Sequence, residues 1–127
     1  MMNNELVTRT YDLERRLIAF AVRAMHLVEA LPKTRVGNHI AGQLVRCSTS
    51  PAHNYGEALA AESRADFIHK LGVCLKELRE TRVCLLMIQD LQLMKPAGKI
   101  IPLLQECNEL IAIFTASRQT ARSKSGK

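Results

Sequence analysis

The sequence predicts an all-α protein, an antiparallel up-down-up-down four-helix bundle. Aromatic residues make up only 4% of the 127 residues while apolar residues make up 47%, so the core must be built largely from aliphatic side chains. Apolar residues recur every three or four positions through four segments, as on one face of a helix. Short links with proline or glycine join these segments, which favours neighbouring helices that run in opposite directions. The length fits one domain, which we place at residues 1–119.

The first helix is predicted over residues 12–31. Asp12 suits a cap or an acidic first turn, where its charge complements the helix dipole. Pro32 ends the helix, because the residue before a proline avoids the helical conformation. The predicted core face comprises Leu13, Leu17, Phe20, Ala24, Leu27 and Leu31.

The second helix is predicted over residues 38–59, after a turn at Gly37 and with Asn38 as its cap. Pro51 lies inside this helix, where it removes a backbone hydrogen bond and predicts a kink between residues 47 and 51. The hydroxyl groups of residues 48–50 are placed to bond the carbonyl groups that the proline leaves unpaired. The early core face is Ile40, Leu44, Val45 and Cys47.

The third helix is predicted over residues 63–94. Ser63 and Asp66 resemble a capping box in which aspartate replaces glutamate. A steady spacing of four and three residues then marks one seam, formed by Phe67, Leu71, Cys74, Leu78, Thr81, Leu85 and Ile88. Further apolar residues such as Leu75 and Val83 widen this surface, so the helix either lies centrally or also packs against another subunit.

The fourth helix is predicted over residues 101–119, after a break at Pro96 and Gly98. Pro102 is tolerated in a first turn, where its missing N–H has no intrahelical partner. We expect residues 120–127 to form a basic, disordered tail.

The positive charge is concentrated at the end of the chain. The formal net charge is +6, from 18 Lys and Arg against 12 Asp and Glu. Residues 118–127 contain four cations and no acid, so the remainder carries 14 against 12, or +2. These cations are candidate nucleic-acid contacts, because a basic segment attracts phosphate; solubility is the alternative explanation. They are Arg118, Arg122, Lys124 and Lys127.

The sequence contains no pattern that predicts catalysis or a cofactor. One Asp66-x-x-His69 pair has no second copy, as a di-iron bundle would require, and the four cysteines include no C-x-x-C pair for zinc. The hydroxyl groups before Pro51 lack the Gly-x-Ser-x-Gly motif of a nucleophile. We therefore expect no enzyme, no metal, no cofactor and no small-molecule substrate.

The cysteines and the distribution of apolar residues predict the cell compartment. The cysteines lie within apolar patterns, and there is no secretory leader and no apolar run long enough for a membrane. We expect a cytoplasmic protein with reduced thiols.

Charged residues on the third helix and polar residues late in the second are candidate subunit or partner contacts. The segment "KELRETR" alternates in sign, as solvated or inter-subunit helix faces do. The candidate contacts are Asn54, Tyr55, Glu57, Glu77, Arg79, Glu80 and Arg82.

Residues 36–94 resemble a known bacterial family. The matching features are Gln43, the run from Arg46 to Ser50, and the segments "NYGEA", "AES", "DFIHKL" and "KELRET". The chain resembles the four helix bundle protein family, also called the 23S ribosomal RNA intervening-sequence protein family. The resemblance implies an antiparallel bundle that assembles as a ring-like homopentamer, and it supplies no catalytic residues. A related group binds a reverse transcriptase and nucleic acid through a basic surface; the near-neutral charge of residues 1–117 argues against that role here.

These observations together predict a non-enzymatic, oligomeric helical-bundle protein that binds RNA or a ribonucleoprotein. The alternative is a protein-binding or scaffolding module with no nucleic-acid role.

Overall fold

The computed structural model describes the backbone of residues 4–125 and the side chains of residues 12–124. Its four α-helices are α1 (Asn4–Ala30), α2 (Arg35–Leu59), α3 (Arg64–Asp90) and α4 (Ile101–Ser125), and a 3₁₀ turn at Ala97–Ile100 precedes α4. No residue in the described range lies in a β-strand, so the all-α prediction is confirmed.

Contacts between the helices are compatible with the predicted up-down-up-down order. On α3, Lys70 bonds Glu57 of α2, whereas Cys84, farther along α3, lies beside Cys47, an earlier residue of α2. Residue numbers also run in opposite directions where α3 meets α4, because Arg118 bonds Ile68 and Cys107 bonds Leu78. The α1/α4 seam is joined by Arg16, whose guanidinium contacts Glu106 at 2.7 Å and Glu109 at 3.3 Å.

The core lies where the predicted apolar faces meet. Leu17, Phe20, Ala24 and Leu27 of α1 are buried, as are Leu31, which directly follows α1, and the α3 seam from Leu71 to Ile88. Tyr55 of α2 and Phe114 of α4 pack edge to face, with ring centroids 5.5 Å apart. Val45 is an exception to the prediction, because it is 39% exposed on the outer face of α2.

The first two helices begin earlier than predicted. α1 starts at Asn4, since no proline or glycine interrupts residues 4–12. α2 starts at Arg35 because Thr34, rather than Asn38, is its N-cap: the Thr34 hydroxyl accepts a hydrogen bond from the Gly37 N–H at 3.0 Å. Gly37 therefore lies in the first turn of α2 and is not part of a separate loop.

The hydroxyl groups before Pro51 bond carbonyl groups one turn behind them. Ser48 Oγ donates to the Leu44 carbonyl at 2.5 Å, and Thr49 Oγ1 donates to the Val45 carbonyl at 2.7 Å. Pro51 has no N–H, so the carbonyl that it leaves unpaired is that of Cys47. The prediction had the hydroxyl groups bonding such a freed carbonyl, whereas these two bond the Leu44 and Val45 carbonyls. α2 is continuous through Pro51.

α3 ends at Asp90, four residues before the predicted end. Gln92 has a φ of 55°, and its N–H bonds the Gln89 carbonyl while the Leu93 N–H bonds the Ile88 carbonyl. This pair of bonds is a Schellman motif, which reverses the chain at a left-handed residue. The reversal lets Leu93 pack against the core and buries Met94. The link to α4 also contains a cis Lys95–Pro96 peptide bond.

α4 continues to Ser125, so the prediction of a disordered tail from residue 120 was wrong for residues 120–125. Ala121 is only 6% exposed, so this residue of the extra helical segment still packs on the bundle. Residues 126 and 127 of the predicted tail lie outside the described part of the chain.

In the part of the chain that the structure describes, no helix has an apolar segment of the length that crossing a bilayer requires.

Candidate nucleic-acid interface

A basic groove lies between α3 and the second half of α4. We call it the α3/α4 groove; its volume is about 1100 Å³, and Ile68 and Leu75 contribute apolar surface to it. Three arginines line it: Arg79 from α3 and Arg118 and Arg122 from α4. Among the residues that the structure describes, its lining includes no acidic side chain. The groove can therefore attract an anion.

Arg118 is held in place by the backbone of α3. Its Nε donates to the Ile68 carbonyl at 3.4 Å, and the side chain is half-buried. The guanidinium lies directly over Gly72, where a Cβ atom would be 2.9 Å from Nε and 3.0 Å from Cζ. The absence of a side chain at Gly72 is thus what lets Arg118 lie across α3 instead of extending into solvent.

The other predicted nucleic-acid contacts lie near the end of α4. Arg122, one turn after Arg118, is exposed and lines the same groove. Lys124 is also exposed, but it lines a different depression, to which all four helices contribute residues. Lys127 lies outside the described residues. The structure therefore brings two of the four predicted cations together and adds Arg79, which the sequence placed among the partner contacts.

The polar residues at the end of α2 make contacts within the bundle. Asn54 Nδ2 bonds the Ser50 carbonyl at 3.0 Å and the Ser50 hydroxyl at 2.8 Å. The Tyr55 ring is 6% exposed and packs on Phe114, so its prediction as a partner contact was wrong: it belongs to the core. Glu57 is exposed and bonds Lys70 Nζ at 2.6 Å, and this contact lowers the pKa of the Glu57 carboxyl.

The charged residues of the "KELRETR" segment do not form one site. Glu80 and Arg82 are exposed, and Arg82 lies away from the α3/α4 groove. Glu77 is half-buried beside α2; burial, with a smaller contribution from Glu80, raises the pKa of its carboxyl against the opposing effects of Lys76 and Arg46. The segment therefore divides: Arg79 faces α4, whereas Glu77 faces α2.

An apolar stripe runs along the outer side of α3. It consists of Val83 and Met87 of α3 and of Leu91, the C-cap of this helix; they are spaced four residues apart and are 47%, 45% and 51% exposed. Side chains at this spacing lie along one face of a helix. The stripe continues the wide apolar surface that the sequence predicted for this helix.

The residue types that most often bind metal ions were also located in the structure. All four histidines, at positions 26, 39, 53 and 69, are exposed. Within the described residues, no group of three or more His, Cys, Asp and Glu side chains is placed to hold a metal ion.

Sequence reasoning missed the role of Gly72 and the grouping of Arg79 with the α4 arginines. A signal for Gly72 was present, because a glycine inside a strongly periodic helix is destabilising and often marks a close approach. The grouping of the arginines depends on how α3 and α4 align along their length, which the pattern within either helix does not specify.

Comparison with known proteins gives a family for this architecture. The model of the 23S rRNA-intervening sequence protein family matches residues 9–116. A crystal structure from Bacteroides thetaiotaomicron VPI-5482, described as a protein with unknown function from the S23 ribosomal protein family, is similar with a TM-score of 0.79 and 26% identity. The alignment covers 87% of this chain and 97% of that chain. No curated protein matches the chain.

Proposed function

Because this chain belongs to the 23S rRNA-intervening sequence protein family, we propose that it is a non-enzymatic, oligomeric helical-bundle protein that binds RNA or a ribonucleoprotein through the α3/α4 groove. The convergence of Arg79, Arg118 and Arg122 on this groove is the observation that supports the proposal most directly. Guanidinium groups stay charged at physiological pH and bind phosphate oxygens through two parallel hydrogen bonds. RNA also offers unpaired bases, which stack on guanidinium planes such as those of the arginines in this groove.

We propose that the protein acts as a homo-oligomer, with the pentamer that the family resemblance implies. The exposed stripe of Val83, Met87 and Leu91 supports self-association, because an unpaired apolar surface on a helix is stabilised by burial against a second copy. In a ring, several α3/α4 grooves would act on one RNA, so weak contacts in each subunit would add up to a higher overall affinity. We place the protein in the cytoplasm, where its four free cysteines would stay reduced.

The same stripe favours a second candidate function, a protein-binding or scaffolding module in which RNA has no role. In that case a different protein would cover the stripe, with the charged side chains of Glu80 and Arg82 at its edge. Recovery of a protein partner that survives nuclease treatment, together with no RNA binding at low salt, would favour this alternative.

The RNA-binding proposal is tested by titrating the protein with a fluorescent RNA hairpin over a series of salt concentrations. Each phosphate contact contributes a slope of about 0.7 to 0.9 in the dependence of log affinity on log salt. Three contacts therefore predict a slope of about 2 to 3 for each engaged subunit. The double variant Arg118→Gln/Arg122→Gln should lower this slope by about 2 and weaken binding at all salt concentrations.

A matched control removes the same charge elsewhere. Arg15 and Arg23 are exposed on α1, so Arg15→Gln/Arg23→Gln has the same net charge as the groove variant. Equal weakening by both double variants, or no binding by the native chain at low salt, would overturn the proposal. Substitution is preferable to deleting residues 118–127, because deletion would also remove the buried Ala121. Light scattering on the same samples measures the subunit number.

A further inference from the structure

The four cysteines occupy two different environments. Cys74 and Cys107 are fully buried, and each donates its S–H to a backbone carbonyl: Cys74 to Pro51 at 3.5 Å and Cys107 to Leu78 at 3.3 Å. Burial raises the pKa of each thiol to about 12. Because the thiolate is the reactive form of cysteine, these two residues are inert at neutral pH.

Cys47 of α2 and Cys84 of α3 lie beside each other across the α2/α3 seam, close enough for each thiol to shift the pKa of the other. Within α2, the Cys47 S–H donates to the Leu44 carbonyl at 3.9 Å. Both line a groove of about 530 Å³ between these helices, which we call the α2/α3 groove. Two exposed cations, Arg46 and Lys76, also line this groove. The residue exposures of Cys47 and Cys84 are 3% and 5%, so a reagent that reaches the two sulfur atoms must be small and must enter by the groove that both residues line.

The two thiols of this pair differ in acidity. The neighbouring Cys47 thiol lowers the pKa of Cys84, and the positive charge of Arg46 acts in the same direction, against burial and the charge of Glu80. The neighbouring Cys84 thiol and burial raise the pKa of Cys47, and the charge of Glu77 adds to this effect. Cys84 is therefore the more acidic thiol of the pair, and the one that forms the nucleophilic thiolate more readily.

We propose that Cys47 and Cys84 form a peroxide-reactive dithiol site, in which Cys84 is oxidised first and Cys47 then closes a disulfide between α2 and α3. The Cys84 thiolate attacks one oxygen of hydrogen peroxide, the O–O bond breaks, and hydroxide leaves as Cys84 becomes a sulfenic acid. Cys47 gives its proton to hydroxide, and its sulfur attacks the Cys84 sulfur. The S–O bond breaks and the departing hydroxide is protonated. In sum, two thiols and one peroxide give one disulfide and two waters.

Trypsin separates the four cysteines, which makes the test specific. Cleavage after lysine and arginine leaves Cys47, Cys74, Cys84 and Cys107 on the peptides 47–64, 71–76, 83–99 and 100–118. The folded, reduced full chain is treated with hydrogen peroxide, alkylated, digested and analysed by mass spectrometry. We expect a cross-link between peptides 47–64 and 83–99, a fall in free thiols from four to two, and alkylated thiols on the other two peptides.

Single variants test the order of the two steps. In Cys47→Ala, a sulfenic-acid probe should label peptide 83–99, because the second thiol is missing. Cys84→Ala should give neither the cross-link nor a labelled peptide 47–64, and the control Cys74→Ala should retain the cross-link. Circular dichroism establishes that each variant is folded.

Three results would overturn the inference: four free thiols in the folded native chain after peroxide, cross-links that join other pairs of peptides, or a sulfenic acid on Cys47 in Cys84→Ala. The site does not depend on RNA binding, so its failure would leave the α3/α4 groove proposal unaffected.

Discussion

Replacing Gly37 with alanine should destabilise the protein, although alanine is the better helix former. Gly37 is buried in the first turn of α2, against the link from α1. A Cβ atom there would lie 2.0 Å from the Pro32 carbonyl oxygen and 3.1 Å from Thr34 Oγ1. The Pro32 oxygen belongs to the backbone and cannot rotate away, so the α1/α2 connection must open to admit the methyl group.

The size of the effect follows from what this opening breaks. Carbon and oxygen atoms normally stay about 3.3 Å apart, so the shift exceeds about 1 Å and disrupts the Thr34 cap, which is worth about 1 kcal/mol. Leu31 and Ile40, on either side of the link, are buried, and full burial of each contributes about 1.5 to 3 kcal/mol. We assume partial loss of this burial. After subtracting about 1 kcal/mol for helix propensity, the net destabilisation is about 1 to 3 kcal/mol.

Thermal unfolding followed by circular dichroism measures this change. At roughly 4 °C per kcal/mol for a chain of this size, the melting temperature should fall by about 4 to 12 °C. Gly42→Ala is the matched control in the same helix, because a Cβ there meets no atom within 4 Å. It should gain about 0.5 to 1 kcal/mol. A Gly37→Ala protein as stable as the native chain would refute the argument.

Three further predictions concern α3 and its end. Gln92→Gly should stabilise the fold by about 1 kcal/mol in urea unfolding, because glycine adopts the left-handed conformation without steric cost; no gain would contradict the Schellman assignment. Glu77 has a raised pKa, so its charge opposes folding as pH rises from the ordinary carboxyl pKa through the raised value. Glu77→Gln should therefore gain up to about 0.5 kcal/mol at pH 7 and nothing in acid; equal effects at both pH values would count against this. Gly72→Ala should displace Arg118 and weaken RNA binding while melting within about 1 kcal/mol of the native chain; unchanged affinity would remove Gly72 from the site.

Most of the fold could be predicted from the sequence, because burial in a bundle follows a pattern that repeats within each helix. The α3 seam from Leu71 to Ile88 is buried as predicted, and Ser63 caps this helix through the Asp66 N–H. The end of α3 was missed because Gln92 takes a conformation that usually marks a glycine. The packing of Leu93 and Met94 on the core, rather than any local signal, stabilises that turn.

The candidate site was only partly predictable. The clustering of Arg118 and Arg122 follows from their spacing on one helix, but the addition of Arg79 depends on how α3 aligns with α4. Tyr55 was misplaced because a tyrosine among polar residues resembles a surface residue, whereas its ring fills the space beside Phe114. The proximity of Cys47 and Cys84, 37 positions apart in the chain, likewise depends on the alignment of α2 with α3.

The continuation of α4 to Ser125 changes what Arg118 and Arg122 can discriminate. Cations on a flexible segment adapt to almost any polyanion, but they lose about 1 to 2 kcal/mol of backbone entropy for each residue that becomes ordered. On a formed helix that loss has already occurred during folding. The backbone positions from which the two arginines extend are then set in advance, and the Ile68 carbonyl also holds the Arg118 guanidinium. If the proposed groove binds a polyanion, this fixed backbone spacing favours ligands whose negative charges match it, so selectivity would come from geometry as well as from charge.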